Sequence, residues 1–165
     1  MKRILLAIAT LALAAGLSAQ NAKLPTNVNL KTVDGKTVQS SVIQNDGKPM
    51  IISFWATWCG PCLLELKTIS EVYDEWVEET GVKLVAVSID DSKTSFQVKK
   101  RATALGWPFE IYIDENKDFA SALSIGQDPP YTLLINGEGE IVWQHKGFQP
   151  GAEEELLEQV RKLVE

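Results

Sequence analysis

A chain of 165 residues, 45% hydrophobic and 23% charged, is long enough to bury the core of one ordinary domain. With 22 acidic against 16 basic residues and a formal net charge of −6, it argues against nucleic acid or anionic membrane surfaces as partners. Two cysteines and one histidine fall short of the four ligands a structural zinc site wants.

Met1-Lys2-Arg3 is a short basic start, followed by an apolar run of Leu, Ile and Ala from Ile4 to Leu17. Leu17-Ser18-Ala19 ends the run with small residues before Gln20. This is the build of a cleavable secretory signal peptide over residues 1–19, and the run is short for a membrane span. An uncleaved N-terminal anchor is the competing reading. Cleavage removes two basic residues and no acid, leaving 14 basic against 22 acidic residues, net −8. Residues 20–165 then form one domain, and export places it outside the cytoplasm. In such a compartment disulfides normally act as staples; here the only pair sits in a short motif.

Val28, Leu30 and Val33, then Asp34-Gly35, then Thr37-Val38 read as a hairpin. Residues 39–48 are polar and turn-rich. Residues 50–56 read as a buried strand. Cys62, Leu66, Ile69, Tyr73, Trp76 and Val77 recur at helical spacing over 60–80, and Gly81 stands where the helix stops. Residues 82–89 read as another buried strand, with Asp90-Asp91-Ser92 as its exit and a helix cap. A helix over 93–105 carries Lys99-Lys100-Arg101 on a solvated face and ends at Gly106. A short strand over 109–113, a helix over 117–123 and strands over 131–135 and 140–145 follow. The last two are joined by Asn136-Gly137-Glu138-Gly139. A helix over 151–164 closes the chain. Strands alternating with helices, plus a terminal hairpin, indicate an α/β domain with a mixed sheet covered on both faces.

Both cysteines lie in Trp58-Cys59-Gly60-Pro61-Cys62, between the strand over 50–56 and the helix over 60–80. Pro61 suits the first helical turn, where its missing N–H costs nothing. Free N–H groups and the positive end of the helix dipole stabilise a thiolate at Cys59. Cys62, one turn further in, is spaced to close a ring with Cys59 and eject a mixed-disulfide partner. A purely structural disulfide of this ring size adds little chain-entropy stabilisation. Two inert buried thiols leave the Gly-Pro between them without a reason.

The segment Phe54-Trp55-Ala56-Thr57-Trp58-Cys59-Gly60-Pro61-Cys62 resembles the active-site segment of the thioredoxin superfamily. The surrounding pattern is most similar to its exported TlpA-like thiol-disulfide oxidoreductases, over about the whole mature chain. The resemblance implies a thioredoxin-like fold with an N-terminal β-hairpin and a strand–helix insertion at 107–124. It also implies that Cys59 attacks, Cys62 resolves, and Glu65 exchanges protons with the thiols. By period alone Glu65 lies on the edge of the stripe of Leu66, Ile69 and Tyr73, where a carboxylate is partly desolvated. The competing reading is a surface glutamate on the helix flank. Ser53 stands at the strand position where cytosolic thioredoxins place a buried aspartate.

The family also holds a cis-proline before the strand matching Tyr131-Thr132-Leu133-Leu134-Ile135, beside the cysteines. Pro130 matches it, with Pro129 as the alternative and a plain rigid loop as the third reading. The residue before this proline usually offers its N–H to an extended substrate. Pro129 has none, and Asp128 makes the approach one residue longer than usual. Trp58, Pro129 and Pro130 are therefore the expected substrate rim. Trp55 and Trp76 read as core, Trp107 and Trp143 as packing, and His145 as a strand-end or surface residue. A Cys–His nucleophile would need His145 beside Cys59 in space.

These readings add up to a periplasmic protein disulfide oxidoreductase, run in the reducing direction, with no cofactor and no metal. Protein disulfides and thiols are its substrates, and a membrane electron donor restores its dithiol. The competing functions are an exported peptide-binding or chaperone-like module and a thiol peroxidase. Peroxiredoxins, which share the fold class, place a threonine three residues before the reactive cysteine, where this chain has Ala56.

Overall fold

The computed structural model describes residues 22–165, so the signal-peptide reading of 1–19 lies outside the described residues. The chain forms β1 (Asn29–Thr32), β2 (Thr37–Gln39), β3 (Met50–Trp55), α1 (Gly60–Thr80), β4 (Lys83–Ser88), α2 (Val98–Leu105) and β5 (Glu110–Ile113). It continues through α3 (Asp118–Ala122), β6 (Tyr131–Ile135), β7 (Ile141–Lys146) and α4 (Ala152–Arg161). Seven strands make one sheet in the order β2-β1-β5-β4-β3-β6-β7. β3 runs parallel to β4, and β4 to β5, while the hairpin strands at both edges run antiparallel.

All six residues of β3 are buried, as an apolar strand in the middle of a sheet covered on both faces requires. α1 packs against both β3 and α4. α1 turns Cys62, Glu65, Leu66, Ile69, Tyr73, Trp76 and Thr80 inward. Its Tyr73 hydroxyl accepts the Leu84 N–H at 2.9 Å, tying the helix to β4. Gly81 closes the helix in the left-handed conformation, φ 68°. Val77, placed on the apolar stripe by spacing, is exposed instead; it lies one position past Trp76, about 100° around the helix from the buried line.

The helix expected over 93–105 starts only at Val98, after a 3₁₀ turn at Ser95–Gln97. Asp91 holds the turn ahead of it: its side chain accepts the Lys93 N–H at 2.9 Å, and its carbonyl takes the Thr94 and Ser95 N–H groups. In the terminal hairpin, Asn136 Oδ1 accepts the Glu138 and Glu140 N–H groups. The β1–β2 hairpin turns at Asp34-Gly35, with Gly35 at φ 81°.

Candidate active site

The C-terminal end of β3 and the start of α1 bring the cysteines together. Cys59 is the N-cap of α1 and Pro61 lies in the first turn. Cys59 and Cys62 are joined as a disulfide, with Cα atoms 5.3 Å apart. Cys59 Sγ also accepts the Cys62 N–H at 3.3 Å. This is an orphan amide of a helix N-terminus turned onto a sulfur. Cys62 is fully buried and Cys59 nearly so, whereas Trp58 beside them is 58% exposed. The sulfur pair is therefore buried and flanked by an uncovered indole.

The loop before β6 approaches from the other side. The Pro129–Pro130 peptide is cis, and the Pro129 carbonyl oxygen lies 3.5 Å from Cys59 Sγ. Two residues further along, the Thr132 hydroxyl donates to Glu65 Oε1 at 2.7 Å. Ser53 on β3 faces the other carboxylate oxygen at 3.5 Å. Glu65 is thus not a flank residue: it is 4% exposed, held between β3 and β6 one turn beyond Cys62. Burial pushes its carboxyl up to about 7, against the pull of the Thr132 and then the Ser53 hydroxyls. A carboxyl near neutrality takes and gives protons readily at physiological pH.

A second buried acid went unread in the sequence. Asp90, just past β4, has no exposed surface and accepts three hydrogen bonds. They come from the Thr57 N–H (2.8 Å), the Thr57 hydroxyl (2.6 Å) and the Ser88 hydroxyl (2.7 Å). Thr57 lies two residues before Cys59, so Asp90 pins the loop that presents the sulfur. The Asp-Asp-Ser run signalled a cap, and Asp91 does hold the local turn. Nothing local marked its neighbour as a partner of a residue 33 positions away.

The aromatics sort by depth. Trp55 meets Trp107 edge-on, centroids 4.9 Å apart. Trp76 is buried. Trp143 stacks on His145, centroids 5.7 Å apart. His145, one residue from the end of β7, pairs in register with Thr132 and borders the same small cavity as Glu65. Among the described residues no group of three or more His, Cys, Asp or Glu converges as a metal site would require.

The mixed sheet and the bonded cysteine pair at its helix start define a thioredoxin-like thiol-disulfide oxidoreductase. The chain belongs to the AhpC/TSA family, which it matches over residues 18–144. It is 30% identical to the thiol-disulfide oxidoreductase ResA of Halalkalibacterium halodurans over 138 residues, 84% of this chain and 73% of that one. The solution structure of a thioredoxin-like protein from Porphyromonas gingivalis superposes with a TM-score of 0.75 at 48% identity, covering 88% of this chain and 94% of that one. StoA from Bacillus subtilis superposes with a TM-score of 0.63 at 28% identity, over 87% of this chain and the whole of that one. Peroxiredoxin Q of Xanthomonas campestris, at 14% identity and a TM-score of 0.71 over 88% of this chain and 97% of that one, shares the fold alone.

Proposed function

We propose that this protein reduces disulfides of protein substrates outside the cytoplasm, with Cys59 as nucleophile and Cys62 as resolving thiol. The observation that carries the reading is the Cys59 sulfur at the N-cap of α1, accepting the Cys62 N–H. The same donors favour a thiolate in the dithiol form. The thiolate attacks a substrate disulfide, forms a mixed disulfide and expels one substrate thiolate. Cys62 then gives its proton to Glu65 and attacks Cys59 Sγ, closing the Cys59–Cys62 bond and expelling the second substrate thiolate. Two electrons pass from the dithiol to the substrate.

Trp58 and the Pro129-Pro130 corner form the rim on which the substrate lies. The basic start and apolar run of residues 1–19 support export to the periplasm through a cleaved signal peptide. A membrane electron donor returns the oxidised pair to the dithiol. No helix among the described residues is long and apolar enough to cross a membrane.

Two measurements test this. Equilibration with glutathione should place the pair nearer to about −270 mV, the thioredoxin value, than to the ~−120 mV of strong periplasmic oxidants. The opposite result reverses the direction. Cys62→Ser should accumulate mixed disulfides through Cys59, and Cys59→Ser should abolish turnover. Intact activity in Cys59→Ser would leave a binding module in place of an enzyme.

A further inference from the structure

A buried proton acceptor beneath a sealed disulfide needs a way to exchange with solvent. The substrate side is a poor exit, because a bound protein covers it during the step in which Cys62 loses its proton. The opposite side of Glu65 is different. A cavity of about 10 Å³ lies there, bounded by Glu65, Thr132, Trp143, His145, Glu153 and Leu156, among others. Its volume admits about one water. His145 also borders an open groove of about 420 Å³ at the corner between β7 and α4, with Lys146 and Glu155 on its rim. His145, Phe148 and Ala152 line both spaces, and His145 is the one of the three that can carry a proton.

The strand register makes this placement firm. Thr132 and His145 are direct cross-strand partners, so their side chains share a face of the sheet. Thr132 donates to Glu65 on that face. Trp143, two residues before His145, points the same way and stacks on the ring. The charged or titratable groups bordering the inner cavity are Glu65, His145 and, from α4, Glu153, with no lysine or arginine among them. β3 contributes Ser53 to Glu65, and no titratable group.

We propose that His145 is a proton-relay residue that connects Glu65 to solvent through the corner between β7 and α4. This rests on the reading of Glu65 as proton acceptor. As Cys62 transfers its proton to Glu65 and its sulfur attacks Cys59 Sγ, expelling the substrate thiolate, the proton moves on through the cavity to one ring nitrogen of His145. The other nitrogen releases a proton into the groove. No electrons move in this step. The expelled substrate thiolate takes its proton from water on the opposite side.

The test follows the resolving step against pH in the full mature protein, with a mixed disulfide preformed between Cys59 and a thiol peptide. His145→Phe keeps the stack on Trp143 and removes the relay. Near pH 7 the step should slow by about tenfold to a hundredfold, and added imidazole, which fits the outer groove, should restore much of the rate. Ala152→Leu, which fills the wall shared by cavity and groove, should slow the step without imidazole rescue. Glu65→Gln should slow it in either background. A slow Glu65→Gln alongside His145→Phe and Ala152→Leu at the parental rate overturns the relay and leaves Glu65 in its role. A Glu65→Gln variant as fast as the parent overturns both. Slowing in His145→Phe with no response to imidazole and an unchanged pH profile also overturns the relay, since a packing defect alone produces that result.

Discussion

Asp90 shows how much of the site depends on one carboxylate that touches no sulfur. Its oxygens take both hydrogen-bonding groups of Thr57 and the hydroxyl of Ser88, all of them buried. Removing an acceptor in such a place strands the donors, at about 1–3 kcal/mol for each buried group left unpaired. Asp90→Ala should therefore lower stability by at least about 2 kcal/mol in urea unfolding. Asp90→Asn should cost less, because its amide oxygen still accepts the Thr57 N–H while the Thr57 hydroxyl turns to accept from the amide. An Asn variant worse than the Ala variant would contradict this assignment of donors and acceptors. The same scale explains why Glu65 resisted a firm reading from sequence. Helical period placed it at the edge of the apolar stripe. Its depth depends on Ser53 of β3, Thr132 of β6 and the residues of β7 and α4, none of them its neighbours in sequence.

At the level of elements, the strongest local signals held. The run over 50–55 is a buried strand, the helix after Pro61 ends at Gly81, and both hairpins turn where Asp-Gly and Asn-Gly stand. Two details moved: a turn held by Asp91 precedes the helix expected from 93, and Val77 fell outside the buried line. The second hairpin also carries a constraint invisible in its own residues. A Cβ at Gly137 would collide with the backbone carbonyl of Gly47, and backbone cannot swing aside as a side chain does. Gly139, at φ 77° with open space around it, has only its backbone conformation to lose. Gly137→Ala should therefore destabilise by about 1–3 kcal/mol and Gly139→Ala by about 1 kcal/mol. Thermal unfolding of the two variants checks the order, and a harmless Gly137→Ala would mean that the loop over 45–48 is not held against the turn.

For the molecule as a whole, the buried carboxyl makes stability depend on pH. Below the ordinary glutamate range, near 4.5, Glu65 is protonated whether the chain is folded or not. Between 4.5 and about 7 the fold keeps a proton that the unfolded chain has released, so stability falls as pH rises across that window. The full loss is about 3 kcal/mol by the usual conversion of a shifted pKa. Glu65→Gln should flatten this part of the profile, leaving a protein less stable relative to the parent at pH 4 than at pH 8. Urea titrations at several pH values measure it. An unchanged slope in Glu65→Gln would show that the carboxyl does not titrate in the fold.

The order of residues by itself determined the class of chemistry and most of the scaffold. Two cysteines two residues apart at a strand-to-helix junction, a proline in the first turn and alternating strand and helix periods are local patterns, and local sterics and hydrogen bonding decide them. Tertiary structure alone decided which polar side chains went into the dark. Glu65 is buried, Asp90 is fixed to Thr57, and His145 faces Thr132 because sheet register and helix docking bring together residues tens of positions apart. Burial and pairing of that kind depend on what the rest of the chain places alongside a residue, which no window of neighbouring sequence contains.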